Sequence, residues 1–339
     1  MNVTTIGIDL AKNSFSVHGA DERGKTVFRK TLSRAKLMPF LAQQPACLIG
    51  MEACSGAHHW ARQLTELGHR VGIMAPKFVI PYRKGGKNDG NDAEAICEAV
   101  ARPRMRFVPI KSAEQQAVLC LHRIRQARIK ERTATLNQLR GLLSEFGLVM
   151  PQGRYPALHH IPGILEDAEN GLPMLARRLL HDLYLRLQSI HSEILAYDRE
   201  LEHLAKASPP AQQLMSTPGV GAITATAILA SVGDAHQFKN GRQFAAWLGL
   251  TPRQYTTGGN IRLGRITKKG DAYLRTLLIH GTRAVLAALG DKQDRLSVWL
   301  RALIARRGYK RATVALAAKN ARILWALMVH GESYQRKAA

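Results

Sequence analysis

Two short apolar runs that each finish on a carboxylate restrict this chain more than anything else in it. Thr4–Leu10 carries Asp9 near its end, and Cys47–Glu52 closes on Glu52. Runs of this length, bounded by polar residues, fit strands buried on both faces. Around them the pattern alternates. Thr4–Leu10, Ser14–Ala20 and Lys25–Lys30 read as three successive strands, with Ala20-Asp21-Glu22-Arg23-Gly24 as a hairpin turn. Ser33–Ala42 then reads as a helix despite Pro39, Cys47–Glu52 as a strand and Ser55–Leu67 as a helix. Arg70–Ala75 is a further strand, and Asp92–Ala101 a helix that stops before Pro103.

Three strands, then helix, strand, helix, strand is the order of an RNase H-like α/β domain. In that order Asp9 and Glu52 are neighbours at one edge of the sheet. A second acidic pair, Asp89 and Asp92, sits three residues apart where a helix begins, which puts both side chains on one helix face. Carboxylates gathered in this way repel one another unless a cation lies among them. A hard divalent ion such as Mg2+ (or Mn2+) takes oxygen ligands of this kind. Two such ions about 3.5–4 Å apart clamp the attacking and leaving oxygens of a phosphoryl transfer.

The rest of the chain is basic. Its 339 residues hold 49 Lys plus Arg against 25 Asp plus Glu, a net charge of +24. Thr251 to Ala339 alone has 18 basic and 4 acidic residues, a net +14. So large and clustered an excess favours a polyanionic partner over an inert basic surface. A carboxylate–metal site in such a protein suggests cleavage or strand transfer on nucleic acid.

Ser112 to Phe146 reads as one long helix crowded with Arg123, Arg125, Arg128 and their neighbours, facing either solvent or nucleic acid. Pro151 to Pro162 reads as an irregular linker. Ala176, Leu180, Leu183, Leu187, Ile190, Ile194, Tyr197, Leu201 and Leu204 follow in alternating steps of four and three, a coiled-coil period. Its partner is either another helix of this chain or a second copy. After Ser208-Pro209-Pro210, the segment Pro218-Gly219-Val220-Gly221 precedes an apolar helix and resembles a helix-hairpin-helix turn. There Gly219 and Gly221 let a backbone approach a phosphate. Thr251 to Gly270 reads as a long Gly-rich basic loop, and Asp271 to His330 as helical. The expected divisions are 1–150, 151–208 and 209–339.

Cys47, Cys54, Cys97 and Cys120 lack CxxC spacing and read as buried thiols of a reducing cytosol, and no zinc pattern emerges. The N-terminus does not read as a signal peptide, and the longest apolar stretch, around Ala222 to Val232, is too short to span a bilayer. A cytoplasmic protein with no membrane partner is the expectation.

These residues resemble a known family. Gly-Ile-Asp-Leu-Ala-Lys, Met-Glu-Ala-Cys and Asn-Asp-Gly-Asn-Asp-Ala-Glu-Ala in the N-terminal part are similar to the DEDD transposases of bacterial insertion sequences. These form the insertion sequence 110 family, to which Piv-type DNA invertases are related. Pro-Gly-Val-Gly, Trp-Leu-Gly-Leu-Thr-Pro-Arg-Gln and Leu-Gly-Arg-Ile-Thr-Lys-Lys-Gly-Asp extend the likeness to the C-terminal part. The resemblance implies a RuvC-like N-terminal domain holding magnesium on Asp9, Glu52, Asp89 and Asp92, and a mostly helical C-terminal transposase domain. It implies site-specific recombination of element ends and target DNA, directed by a noncoding RNA from the element itself. It also implies a nucleophilic serine in the Gly-rich segment after Pro-Arg. This chain departs there, reading Tyr255-Thr256-Thr257-Gly258, with no serine between Ser231 and Ser297. A threonine hydroxyl can replace serine as nucleophile. The family patterns place serine first, which points to Thr256 before Thr257.

The resulting expectation is a recombinase with a composite site. Carboxylates and metal activate the scissile phosphate, a threonine attacks, and Arg253, Arg262, Arg265, Lys268 and Lys269 neutralise phosphate. A homodimer, or a tetramer when DNA ends are paired, suits that task. The alternative is a metal-dependent nuclease or junction resolvase that hydrolyses DNA without a covalent intermediate. A binding protein with purely structural acids is the third reading.

Overall fold

The computed structural model describes residues 2–85, 88–151 and 153–335, without the side chains of 154–157. Lys87 beside the acidic pair, Gln152 of the expected linker and residues 336–339 of the basic tail lie outside the described residues. The chain divides into two units, residues 1–116 with 232–234, and residues 117–231 with 235–339.

The first unit is a mixed α/β sheet, compatible with a DEDD nuclease-like fold. Its elements are β1 (Thr5–Leu10), β2 (Ser14–Ala20), β3 (Thr26–Ser33), α1 (Arg34–Ala42), β4 (Leu48–Glu52), α2 (Ala57–Glu66), β5 (Arg70–Met74), α3 (Pro76–Val79), a 3-10 turn at Ile80–Tyr82, α4 (Asp89–Val100) and β6 (Phe107–Val108). The strand order is β3-β2-β1-β4-β5-β6. β1 pairs antiparallel with β2 and parallel with β4, β4 pairs parallel with β5, and β6 adds an antiparallel edge. Ile6, Ile8, Ile49, Met51 and Ile73 bury one sheet face in a core with Leu37 and Leu41 of α1 and Trp60 and Leu64 of α2. β3 runs on to Ser33 at the exposed edge, so α1 starts one residue later than expected. α4 begins at Asp89 because the Asn88 side chain caps it, accepting from the Asn91 N–H at 2.8 Å.

The opposite sheet face is shaped by glycine. Gly7, Gly50 and Gly72 lie in register across β1, β4 and β5. A Cβ at Gly7 would stand 2.2 Å from the Ala93 carbonyl oxygen and 2.4 Å from the Cys97 nitrogen. One at Gly50 would stand 2.7 Å from the Val100 Cβ. Three absent side chains thus open a furrow in which α4 lies against the strands. The direction of α4 follows from two contacts. Ala93 is over Gly7, and one turn later the Cys97 thiol approaches the Thr5 carbonyl at 3.6 Å. The helix therefore runs antiparallel to β1.

The second unit is helical apart from one hairpin. Its elements are α5 (Ala113–Ser144, which begins in the first unit), α6 (Arg154–Glu166), α7 (Met174–Ala207), α8 (Pro209–Met215), α9 (Ala222–Val232), α10 (Gly241–Trp247), β7 (Pro252–Thr257), β8 (Asn260–Ile266), α11 (Ala272–Ala287), α12 (Arg295–Arg307) and α13 (Tyr309–His330). The expected linker is largely helix α6, which carries Pro162 inside it. Its Ile161 and Leu165 join Leu136, Leu139 and Leu143 of α5 and Leu180 and Leu187 of α7 in one core. The heptad stripe of α7 thus has a partner within this chain. Ion pairs from α5 to α7 reinforce it: Arg125 with Asp198, Arg128 with Glu193 at 2.7 Å and Glu131 with Arg186 at 2.7 Å.

α13 is long and apolar enough to cross a bilayer by length and composition alone, which its Arg and Lys residues disguise in the sequence. Its Leu316 and Ala312 pack with Leu300 of α12 and Leu286 of α11, and its buried Asn320 donates to the Pro218 carbonyl at 2.8 Å. It is a core helix of this unit.

A buried polar junction ties α5, α9 and α11. The His122 ring lies 3.0 Å from the Tyr273 hydroxyl through Nδ1 and 3.1 Å from the Thr226 hydroxyl through Nε2. Burial, helped by the Arg125 charge, pushes the His122 pKa down from 6.5 to about 4. Below about pH 6.5 an unfolded chain takes up a proton that the folded one refuses. The stability contributed by the neutral ring is therefore complete above that pH and is lost as pH falls toward 4. The loss reaches about 3 kcal/mol. Thermal unfolding scanned across this range should show it, and His122→Gln should remove that part of the dependence.

Candidate active site

The two strand-end acids stand side by side. Ile8 pairs with Met51 in the parallel ladder, and Asp9 and Glu52 are the next residues along. Side chains alternate across a strand. Asp9 is two residues beyond Gly7, and Glu52 two beyond Gly50, so both project on the α4 side of the sheet. Electrostatics agree with this placement. The Cys54 thiol is pushed up by burial first, then by the charges of Asp9 and Glu52. Cys54 and Cys120 are exposed and only Cys47 and Cys97 are buried, which corrects the expectation of four buried thiols.

Because α4 runs antiparallel to β1, its first turn, with Asp89 and Asp92, lies toward the strand end that bears Asp9. Asp89 is exposed and borders a groove with Ser16, which pairs with Asp9 across β1 and β2. Asp92 is half-buried and accepts from the Arg83 guanidinium at 3.4 Å. Among the described residues, no three His, Cys, Asp or Glu side chains come close enough together to hold a metal ion. The donors nonetheless fit a hard divalent ion by their chemistry. All four are carboxylates, and Asp9 and Glu52 lie at the carboxyl ends of parallel strands, where open α/β sheets bind ligands, with Asp89 and Asp92 in the first turn of α4. Arg83 is a partner of Asp92 that sequence reasoning missed. Its only signal is the basic run Arg83-Lys84 shortly before the acidic pair.

The segment expected as a Gly-rich loop is instead the β7–β8 hairpin. Thr257 pairs with Asn260 across the turn Gly258-Gly259, whose φ angles of 55° and 81° suit the primed turns of two-residue hairpins. Nearly every hairpin residue is exposed, including Arg253, Thr256, Thr257, Arg262 and Arg265. Its base is held by backbone bonds from Thr267 N to Thr251 O at 2.9 Å and from Lys268 N to Gly249 O at 3.1 Å. Lys268 and Lys269 are exposed beside it, Lys268 with a φ of 55°.

The remaining basic residues are disposed differently. Arg123 is exposed, whereas Arg125 is largely covered and paired with Asp198, and Arg128 bonds Glu131 and Glu193. In the Pro218-Gly219-Val220-Gly221 turn, a Cβ at Gly219 would stand 2.7 Å from the Gly281 carbonyl oxygen of α11. That glycine is required by the crossing of α11. Gly221 faces open space.

A basic chain with carboxylates at the ends of its central strands and an exposed basic hairpin has the make-up of an enzyme that works on nucleic acid. A family model described as "Transposase IS116/IS110/IS902 family" matches residues 211–296, and the DEDD transposase model of the IS110 type matches residues 6–147. The chain is 50% identical to a probable family 20 transposase of Pseudomonas aeruginosa, covering 99% of each. It is 44% identical to the transposase for insertion sequence element IS1111A of Coxiella burnetii, over 98% of this chain and 92% of that one. With the transposase for insertion sequence element IS1328 of Yersinia enterocolitica it shares 41% identity over 99% of both. The chain belongs to the IS110 family of insertion-sequence transposases, which catalyse DNA strand transfer.

Proposed function

We propose that this transposase acts on DNA through an RNase H-like, RuvC-type site made of Asp9, Glu52, Asp89 and Asp92, working with a hydroxyl nucleophile at Thr256 or Thr257. The supporting observation is the α4 furrow, which sets Asp9 and Glu52 on one sheet face with the first turn of α4 toward them. Asp9, Glu52, Asp89 and Asp92 would hold a divalent ion such as Mg2+, which would supply Lewis-acid stabilisation of charge on the phosphate. The chain's own residues do the rest. The carboxylates would hold that ion, since alone they repel the phosphodiester, and Arg83 balances the charge of Asp92. Arg253, Arg262, Arg265, Lys268 and Lys269 neutralise the backbone, and exposed Arg123 and the open Gly221 of a helix-hairpin-helix-like turn extend that contact.

An element-encoded noncoding RNA selects donor and target DNA by pairing, and the basic surface holds nucleic acid by its backbone. The enzyme works in the bacterial cytoplasm as a homodimer that pairs into a tetramer at synapsis. Exposed Val149, Met174 and Leu175, at 84%, 78% and 61% accessibility near the ends of α5 and α7, offer a second copy an apolar surface.

The test is a covalent trap. The protein, Mg2+, RNA from the element's end and labelled donor and target DNA are mixed, and a band that survives SDS but not protease is sought. Such a band, absent with Asp9→Ala, supports the reading. Magnesium-dependent cutting with no adduct points to hydrolysis by the carboxylates alone.

A further inference from the structure

We infer that the groove between the β2–β3 edge and the first turn of α4 holds the phosphodiester next to the scissile one, on the DNA strand being cut. Arg29, Thr31 and His18 receive it. The inference rests on the carboxylate site proposed above and adds a neighbouring subsite to it. Paired residues in an antiparallel ladder share a face. Gly7 pairs with His18 and His18 with Arg29, while Asp9 pairs with Ser16 and Ser16 with Thr31. Two rows thus cross three strands on the face where a Cβ at Gly7 would meet α4. Lys30, between Arg29 and Thr31, turns to the other face, with its Nζ 4.6 Å from the centre of the Phe40 ring.

These rows line one groove of about 240 Å³, bordered on its far side by Asp89, Gly90 and Ala93 of α4. Its donors suit an anion. The Arg29 side chain is 56% exposed, and one of its amino groups bonds Glu94 of α4. That bond fixes the guanidinium, whose fork has further N–H donors for a phosphate. Thr31 is exposed one row along. On the floor, His18 is 4% exposed, and its buried Nδ1 has no partner among the described residues. A buried nitrogen of this kind is costly unless a ligand satisfies it. The Nε2 of the same ring lies 3.5 Å from the Thr26 hydroxyl. A neutral ring that accepts there carries its proton on Nδ1, as a donor. Burial lowers the pKa of His18 against the opposing charge of Glu94, which favours that neutral form.

Asp89 decides which strand fills the groove. It is one of the four acids proposed to hold the ion, and it opens onto the same groove as Arg29 and Thr31. A strand whose scissile phosphate reaches the ion therefore runs its next sugar–phosphate unit into the groove. Thr31 stands two strands from Asp9 in one row, with buried Ser16 between them. At the usual strand spacing that is roughly 10 Å. The groove does no bond-breaking. It fixes the direction of the strand, so its loss weakens DNA binding more than it slows the chemical step.

The test uses the full chain with RNA and Mg2+, and DNA in which single phosphates flanking the cut are replaced by uncharged methylphosphonates. With wild type, one position beside the cut should raise KM about tenfold. Arg29→Gln should raise KM by a similar factor on unmodified DNA, more than it lowers kcat, and the methylphosphonate should then cost nothing further. Glu94→Gln breaks the same ion pair from the other side, and should leave the methylphosphonate as costly as in wild type. Thr31→Val keeps the β-branched shape of the strand residue and should raise KM, and Thr31→Ser should restore it. Arg29→Gln should also reduce the slope of log affinity against log salt by about one. A purely structural Arg29 would leave every methylphosphonate equally costly in wild type and Arg29→Gln, which overturns the proposal. If that happens while wild type cuts and Asp9→Asn does not, the carboxylate reading survives alone. Cutting by Asp9→Asn at the wild-type rate overturns both.

Discussion

Asp9→Asn is expected to stop DNA cleavage while the protein stays folded. Asparagine has nearly the volume of aspartate, so the strand end and the α4 furrow are undisturbed. Only the charge changes, at the carboxyl ends of the two central strands where Asp9 and Glu52 adjoin. Removing one such charge should cost on the order of a thousandfold in rate, about 4 kcal/mol at the transition state. Gel-resolved cleavage of labelled DNA measures the rate, and thermal unfolding should show no loss of stability. A third readout checks the placement without any reaction. The exposed Cys54 thiol is held up partly by Asp9 and Glu52. In a Cys120→Ser background, Asp9→Asn should therefore speed alkylation of Cys54 at mildly alkaline pH. An unchanged alkylation rate would mean that Asp9 does not face this thiol.

Substitution of Gly7 should be the most damaging single change in the first unit. Even alanine puts a carbon 2.2 Å from the Ala93 carbonyl oxygen, and backbone oxygen cannot rotate away. α4 must lift off the sheet, taking Asp89 and Asp92 with it. The expected cost is at least about 3 kcal/mol of stability, at the upper end of overpacking effects, together with loss of cleavage. Gly50→Ala is the informative contrast, because its nearest obstacle is the Val100 side chain at 2.7 Å. Val100→Gly, which removes the Cβ at 2.7 Å along with the methyls, should rescue Gly50→Ala in denaturant unfolding, whereas no truncation on α4 should rescue Gly7→Ala. Equal rescue of both would show that α4 does not press on β1 through its backbone.

What can be read from the sequence follows the same physical divide. β1, β2, β4 and β5 are legible because their apolar runs are buried. The acids at the ends of β1 and β4 stand out because a charge placed against a buried strand is costly to desolvate unless a counter-charge or cation meets it. β3 extends beyond its expected end at Lys30, since Thr31, Leu32 and Ser33 continue an exposed edge strand with no buried run to mark them. β6 has two residues and no periodicity to detect. α6 is hidden by Pro162 and Gly163, and its helical state is supported by Ile161 and Leu165 in a core shared with α5 and α7. The furrow cannot be seen at all. Gly7, Gly50 and Gly72 acquire meaning only when register aligns them, just as Gly219 does only when α11 brings Gly281 against it.

The hairpin escapes detection for a reason that bears on how the family varies. Its strands lean on no core, so they are held by strand propensity, by cross-strand pairs and by the turn. Selection on such a ribbon sees conformation and surface chemistry but almost no packing. Exchange of serine for threonine within it then costs no cavity and no clash, and the added methyl favours the extended chain. The hydroxyl proposed as nucleophile, housed on a ribbon of this kind, can change residue type without the rest of the molecule having to adjust, a freedom that Asp9, set beside the tightly filled furrow, does not have.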